Sequence, residues 1–277
     1  MTPEETLRDR LRDGRLEECL SLVQDQVRQE PANPRPRIFL FQLQAILGQW
    51  QRALNQLQVL GDLDQGGKLS LMIQTYREAI KCEALRAEIF AGKRSPVLFG
   101  EPEAWTGMML KALQLSAAGQ SNEAEGLRGE ALEMAPASTG TINDQKFAWV
   151  ADADTRLGPM FEVITQGNYY WLPVHRVRAI RFEAPADLRD LVWLPAFVTL
   201  ANGGELPALM PARYPGSEGA GDPLVRLGRR TEWVDGAGGG TVGMGQRMLA
   251  TDQAELALLE VRSLQIDEAA GTAVGGA

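Results

Sequence analysis

The chain has 277 residues, of which 44% are hydrophobic and 23% charged, as in an ordinary soluble globular protein of one or two domains. With 28 basic and 36 acidic side chains its formal net charge is −8, which excludes the basic footprint of a nucleic-acid-binding protein. No apolar run approaches the roughly 18 residues of a membrane span, and the charged start, MTPEETLRDRLRDG, lacks the apolar core of a signal peptide. We therefore expect a cytoplasmic protein that binds neither membranes nor nucleic acids.

The N-terminal half has the pattern of amphipathic helices separated by glycine and proline. Thr2 and Glu5 predict a helix start, with Thr2 as the cap and Glu5 completing a capping box. Gly14 ends this helix, and the run PANPRP ends the next one. Gly48 lies 34 residues after Gly14, and the apolar positions that follow the two glycines coincide: Leu16 with Trp50, Cys19 with Ala53, Leu20 with Leu54, and Val23 with Leu57.

A period of 34 residues is the length of the tetratricopeptide (TPR) repeat. A lone helical hairpin cannot bury its apolar face, so such a chain stacks copies of it. A long helix is predicted over residues 69–90, and a degenerate third hairpin turns at Gly119. We predict TPR-like stacked α-hairpins over residues 1–137.

The composition changes near residue 138 to short runs rich in β-branched and aromatic residues. Asn143 and Asp144 predict a hairpin turn, and short helices are expected over residues 159–166 and at PADLRD. The remaining runs predict about seven strands in a small sheet or barrel-like domain over residues 138–266, followed by a flexible tail over residues 267–277. The predicted fold class is α+β in two parts, a TPR-like helical domain and a smaller β-rich domain.

Residues that could carry chemistry are sparse. His175 is the only histidine, and a strand histidine beside arginines is typical of a surface or structural residue. Cys19 and Cys82 lie in helical patterns and are expected to be small buried hydrophobic residues. Neither cysteine has the spacing of a zinc site. We expect no catalytic residue, no metal site and no cofactor.

Two segments nevertheless allow another interpretation. Asp152 and Asp154 could share a magnesium ion, although an exposed turn or a salt bridge with Arg156 is the simpler explanation. The glycine-rich run DGAGGGTVGMGQR lacks the ending of a phosphate-binding loop and precedes a strand, which favours a flexible hairpin loop.

Protein partners are the remaining class. Stacked repeats form a concave groove, and its exposed side chains are predicted to be Arg8, Arg37, Gln42 and Gln44. A second candidate surface consists of Tyr169, Tyr170 and Trp171, with Trp149 and Trp193 nearby in sequence. Aromatic residues are common in interface hot spots, but they are also common in small β cores.

The order and spacing of several segments resemble the ImpE/TagJ family of type VI secretion accessory proteins over the whole chain. These segments are FLFQLQAILGQWQRALNQL, QTYREAIKCEALRAEIFAG, LFGEPEAW, WVADADTRLGP, NYYWLP, DLRDLVWLPA, ARYPGS and GQRMLATD.

The resemblance implies a cytoplasmic, non-enzymatic adaptor. Its expected partner is an N-terminal helical segment of the small sheath subunit TssB, and it is expected to modulate sheath disassembly by the ClpV ATPase. Two alternatives stay open: a metal- or nucleotide-binding enzyme that uses the Asp152 and Asp154 region, and a constitutive structural component of the sheath.

Overall fold

The structure, a computed structural model, describes residues 3–236 and 239–268, with the backbone only for residues 3–6. The predicted cap at Thr2, the Glu5 side chain, the glycine-loop residues 237–238 and the tail beyond residue 268 lie outside the described residues. Within the described residues, no helix is both long and apolar enough to cross a bilayer.

Antiparallel α-helices fill the N-terminal part. The helix bounds are α1 Pro3–Arg12, α2 Leu16–Gln29, α3 Pro34–Ile46, α4 Trp50–Leu63, α5 Ser70–Phe90, α6 Ala104–Ala117 and α7 Ser121–Met134, and a short α8 follows later at Pro223–Arg226. Helices α1 to α5 each pack on the next, and α6 packs on α7, as TPR-like hairpins. The predicted long helix over residues 69–90 and the third hairpin are both confirmed.

Glycines in the left-handed conformation separate the helices of these hairpins. Gly14, Gly48 and Gly119 have φ values of 73°, 64° and 78°, which a residue with a Cβ adopts only under strain. Most of the repeated apolar positions are buried as the pattern predicts, with Cys19 and Ala53 both fully inaccessible, while Leu20, Trp50 and Leu54 are partly buried.

An open nine-stranded sheet dominates the C-terminal part, in the order β1-β6-β5-β9-β8-β7-β14-β2-β3. A three-stranded sheet (β13-β12-β4) and a ribbon (β10-β11) complete it. The strand bounds are β1 Val97–Leu98, β2 Gly140–Ile142, β3 Gln145–Phe147, β4 Val150–Asp152, β5 Met160–Thr165, β6 Asn168–Pro173, β7 Val177–Phe182, β8 Trp193–Leu200, β9 Glu205–Pro211, β10 Thr231–Asp235, β11 Thr241–Gly245, β12 Met248–Thr251, β13 Glu255–Ala257 and β14 Ser263–Ile266.

Two local predictions for this part have opposite outcomes. The turn at Asn143 and Asp144 is confirmed, since both residues have positive φ (45° and 65°) between β2 and β3. The helix predicted over residues 159–166 is wrong, because this segment is strand β5, whose six residues are all buried. A strand covered on both faces lacks the alternation of buried and exposed residues that distinguishes strand from helix in a sequence.

The helical and sheet parts share a hydrophobic core. One buried cluster runs from Leu16 on α2 through Tyr76 on α5 to Trp171 and Trp193 on the sheet. Strand β1, which lies between α5 and α6, also pairs in parallel with β6. The sheet therefore takes one strand from within the predicted helical domain, and the boundary at residue 137 stays a prediction.

Candidate functional site

A buried network of charged side chains joins the helices to the sheet, and Glu162 on β5 is its centre. Arg86 on α5 donates from Nε and Nη2 to the two carboxylate oxygens of Glu162, at 2.5 and 3.0 Å. The Tyr169 hydroxyl and Arg247 donate to the same carboxylate. Burial alone would raise the pKa of Glu162, but the guanidinium groups of Arg86 and Arg247 outweigh it and lower that pKa to about 2.

Asp152 on β4 is the second carboxylate of this network. It pairs with Arg247 and accepts a hydrogen bond from the Tyr214 hydroxyl at 3.1 Å. Burial is the largest influence on Asp152 and raises its pKa to about 6 despite the neighbouring Arg247.

Asp154 forms an ion pair with Arg156, in agreement with the simpler of the two explanations considered for this segment. The Arg156 Nη2 atom lies 2.5 Å from Oδ2 of Asp154, which also accepts the backbone N–H of Gly243 at 2.9 Å. The expectation of an exposed turn is wrong, because Asp152 and Asp154 are 4% and 1% exposed. Among the described residues, no group of three His, Cys, Asp or Glu side chains could hold a metal ion.

Further members of the network bind across the junction between helices and sheet. Glu83 on α5 accepts the indole N–H of Trp193 at 2.8 Å. Arg213 donates to the carbonyl of Ile46 at 2.9 Å, and burial lowers the pKa of Arg213 to about 10. The side chains in this network satisfy one another, so the arrangement fixes the two parts of the chain relative to each other.

The histidine and the two cysteines considered as candidates for chemistry also have surroundings typical of structural residues. His175 lies 3.0 Å, Nε2 to Oε1, from Glu103, and its ring packs edge-on against Trp105. Cys19 and Cys82 are both buried, as predicted, and burial raises the pKa of the Cys82 thiol to about 11. Neither thiol has the lowered pKa of a reactive cysteine.

Two of the four residues predicted to line the concave groove are buried and two are at least partly exposed. Gln42 and Gln44 are only 4% and 3% exposed, so the expectation that they line an exposed groove is wrong. Helix α3 is covered on both sides, and Gln42 accepts the backbone N–H of Leu188 at 3.2 Å. Arg37 is partly exposed and bridges to Gln56 on α4 at 3.1 Å, while Arg8 is exposed.

The predicted aromatic surface is divided between core and surface. Tyr169 and Trp171 are 1% and 0% exposed, which agrees with the alternative that aromatic residues fill the β core and contradicts their exposure. The Trp171 indole donates to the Tyr169 hydroxyl at 2.7 Å. Tyr170 alone is partly exposed, and its ring packs edge-on against Phe99 with centroids 5.2 Å apart.

An extended groove runs along α7, and we call it the α7 furrow. Three adjoining cavities of about 330, 450 and 420 Å³ share lining residues, Arg128 and Thr155 between the first two and Leu132 and Thr155 between the last two. Its apolar end is lined by Ala135, Pro136, Trp149, Pro159 and Ala250.

A second groove, of about 460 Å³, lies between α5 and strands β8 and β9. Leu71 and Phe197, which are 79% and 44% exposed, lie at its opposite sides. Sequence reasoning found neither groove, since each is built from segments far apart in the chain. The one available signal was Trp149, which the sequence places near the predicted aromatic group.

These features define a class of protein: a TPR-like helical array that shares a hydrophobic core with an open β-sheet. Its candidate binding sites are the two solvent-open grooves rather than a catalytic centre. A family model described as ImpE protein matches residues 144–265. The chain is 52% identical over 257 residues to the type VI secretion system accessory component TagJ of Pseudomonas aeruginosa, covering 93% of this chain and 89% of that protein. The chain belongs to the ImpE/TagJ family of type VI secretion accessory proteins.

The fold is also similar to a solved structure. The X-ray crystal structure of protein VPA1032 from Vibrio parahaemolyticus superposes with a TM-score of 0.85 at 23% identity, and the match covers 96% of this chain and 98% of that one. The similarity extends over helices and sheet together, so the two-part α+β architecture is shared as a whole.

Proposed function

We propose that this chain is a non-enzymatic, cytoplasmic adaptor of the type VI secretion system. It binds an N-terminal helical segment of the small sheath subunit TssB and modulates sheath disassembly by the ClpV ATPase. The observation that carries the proposal is the 52% identity to an accessory component of this secretion system over 93% of the chain.

The geometry supports binding of a helix rather than catalysis. An amphipathic helix binds by laying apolar anchors at positions i, i+3, i+4 and i+7 into an apolar groove. The α7 furrow and the α5 groove are both open to solvent and partly apolar. In contrast, the buried acids Glu162 and Asp152 are engaged by arginines of the same chain. Arg37 and Tyr170 are partly exposed and remain proposed contacts.

A calorimetric titration tests the proposal directly. The full chain is titrated with a synthetic N-terminal peptide of its cognate small sheath subunit, and with a control peptide whose apolar anchors are alanine. Saturable 1:1 binding of the first peptide only is the expected result. An absence of binding at peptide concentrations near a millimolar would contradict the proposal.

The enzyme alternative makes a different prediction. A metal or nucleotide that binds only the native state must raise the thermal stability. We expect no shift in the melting temperature with Mg²⁺, Mn²⁺, ATP or GTP, because Asp152 and Asp154 already pair with Arg247 and Arg156. A reproducible shift that Asp154→Asn abolishes would favour the enzyme.

The structural-component alternative concerns stoichiometry. A constitutive part of the sheath would be present in purified sheath particles at a fixed ratio to the sheath subunits. An adaptor is expected to be substoichiometric and to dissociate during purification. Quantitative mass spectrometry of purified sheaths distinguishes the two.

A further inference from the structure

The α7 furrow is polar at one end and apolar at the other. On α7 the lining side is formed by Ser121, Glu125, Arg128, Gly129 and Leu132, whose spacing places them on one face of the helix. The β10–β11 ribbon contributes Trp233 and Thr241 to the opposite wall. A ligand that fits this furrow must complement the charged groups and the apolar surface that have no partner within the chain.

Arg128 provides the charge. Its Nη2 donates to the Ser116 hydroxyl at 3.0 Å, and no carboxylate in the described part of the chain is within ion-pair distance of it. A guanidinium group has five N–H donors, so most donors of Arg128 are available to a ligand. Asp154 and Glu125 both favour the charged form of Arg128, but neither lies within ion-pair distance of it, and Asp154 is already engaged by Arg156.

Arg128 is half-buried, and a half-buried guanidinium without an ion-pair partner indicates a place where an anionic group of a ligand can bind. Burial lowers the pKa of Arg128 from its usual value, because the guanidinium loses water without gaining an ion pair. Arg86, Arg156 and Arg247 each have a carboxylate partner, and the buried Arg213 donates instead to backbone carbonyls such as that of Ile46. Arg156 lines the same cavity but is paired with Asp154, whereas Arg128 lines it with a single hydroxyl among the described residues as its hydrogen-bond partner.

The opposite end of the furrow provides an apolar anchor site. Trp149 is 42% exposed there, beside Ala135 and Pro159. The hydroxyl of Ser138, which lines the same end, is buried and has no hydrogen-bond partner among the described residues. Between the two ends, Gly129 leaves open space where a Cβ would lie, so a ligand backbone can approach α7 closely at this point.

We propose that the α7 furrow binds an amphipathic helix of a partner protein whose apolar side chains pack against Trp149 and whose carboxylate pairs with Arg128. On α7 itself, Arg128 precedes Ala135 by seven residues, which corresponds to about 10 Å along a helix. A bound helix therefore carries its carboxylate about two turns from its apolar anchor. This inference rests on the proposed function and adds to it the location of the site and the chemistry of the segment.

Calorimetric titration with the N-terminal peptide of the cognate small sheath subunit tests the inference in the full chain. Arg128→Gln is expected to weaken binding about tenfold, which corresponds to about 1.4 kcal/mol. It is also expected to reduce the dependence of the affinity on salt. Arg94→Gln makes the same change in net charge at an exposed position and is expected to bind as the wild type does.

A double-mutant cycle identifies the carboxylate. Each acidic residue of the peptide is replaced in turn by its amide, and one replacement is expected to weaken binding to the wild type while having no further effect on Arg128→Gln. Trp149→Ala is expected to weaken binding independently. Thermal denaturation of each variant verifies that it is folded.

The possible failures are distinguishable. If the wild type binds the peptide while Arg128→Gln and Trp149→Ala bind equally well, the furrow is not the site and the inference is overturned, although the proposed function stands. Weaker binding by Leu71→Ala in that case would locate the site in the α5 groove. If the wild type does not bind the peptide at all, the proposed function and this inference fail together.

Discussion

Arg86 and Glu162 form a bidentate ion pair that connects the longest helix, α5, to strand β5 of the nine-stranded sheet. Both side chains are buried, at 5% and 0% exposure, and they are 76 residues apart in the sequence. Arg86 also donates to the backbone carbonyl of Arg213 at 2.7 Å. A buried ion pair of this kind contributes modestly as a pair, but removal of one partner leaves an uncompensated charge in the interior.

Glu162→Gln is therefore expected to destabilise the protein strongly. The substitution leaves Arg86 and Arg247 buried without their shared carboxylate, which costs about 3–5 kcal/mol in the free energy of unfolding. Urea denaturation followed by circular dichroism measures the change. The matched control is Arg94→Ala, which removes an exposed pair with Glu88 and is expected to cost less than about 1 kcal/mol. Equal effects of the two substitutions would contradict the assignment of Glu162 as the centre of the network.

The raised pKa of Asp152 predicts a dependence of stability on pH. In the folded state this pKa is about 6, above the ordinary value of 3.8, so the folded protein binds the proton more tightly than the unfolded chain does. The resulting stabilisation is fully present below about pH 4 and is lost as the pH rises through about 6. Glu162 has the opposite sign, but its lowered pKa acts only as the pH falls from about 4.5 towards 2.

Asp152→Asn isolates this contribution, because the amide has the shape of the protonated acid and does not titrate. Between pH 4.5 and pH 7.5 the wild type is expected to lose about 2 kcal/mol of unfolding free energy relative to the variant. Urea denaturation of both proteins at several pH values gives the difference. Parallel stability curves for the two proteins would show that Asp152 is ionised in the folded state throughout this range.

The sequence predicts those parts of the fold that depend on local periodicity. The 34-residue spacing of Gly14 and Gly48 locates the helical hairpins, because each glycine is required by a left-handed backbone conformation. Strand β5 was predicted as a helix because its burial depends on elements that cover both of its faces. Local periodicity contains no information about such distant neighbours.

The candidate sites were harder to predict from the sequence for the same reason. Asp152 looks like an exposed acid in sequence, and its partner Arg247 follows 95 residues later. Gln42 looks like a groove residue on a helix, but the backbone of Leu188, 146 residues away, covers it. Arg128 is unremarkable in sequence, since only the folded structure shows that no carboxylate of the described residues lies within ion-pair distance of it.

Two glycines provide a test of the backbone geometry. Gly129 lies inside α7 with nothing within 4 Å of an added Cβ, so Gly129→Ala is expected to raise the unfolding free energy by about 0.5–1 kcal/mol through helix propensity. Gly140 on β2 has the carbonyl oxygen of Gln265 only 1.9 Å from such a Cβ. Gly140→Ala is therefore expected to cost about 1–3 kcal/mol, since the paired strand must move. Thermal or urea denaturation measures both, and a loss of stability in Gly129→Ala would contradict the open surface assigned to that side of α7.

The shared core predicts that the helical and sheet parts unfold together. Trp193 on the sheet packs against Tyr76 on α5 with ring centroids 5.8 Å apart, and Trp171 packs against Phe90 at 5.7 Å. Unfolding of either part alone would expose these aromatic side chains and break the Arg86–Glu162 pair. We expect urea denaturation curves from far-ultraviolet circular dichroism, which is dominated by the helices, and from tryptophan fluorescence to coincide.

Glu162→Gln provides the sharper form of this experiment. Loss of the ion pair weakens the junction while the apolar core of each part is unchanged, so the variant is expected to have a lower urea midpoint with the two curves still coincident. A wild type with two separate transitions would instead show that the parts are independent folding units, as the predicted boundary at residue 137 implies. In that case the polar network would only orient two stable domains, and its removal would leave both transition midpoints nearly unchanged.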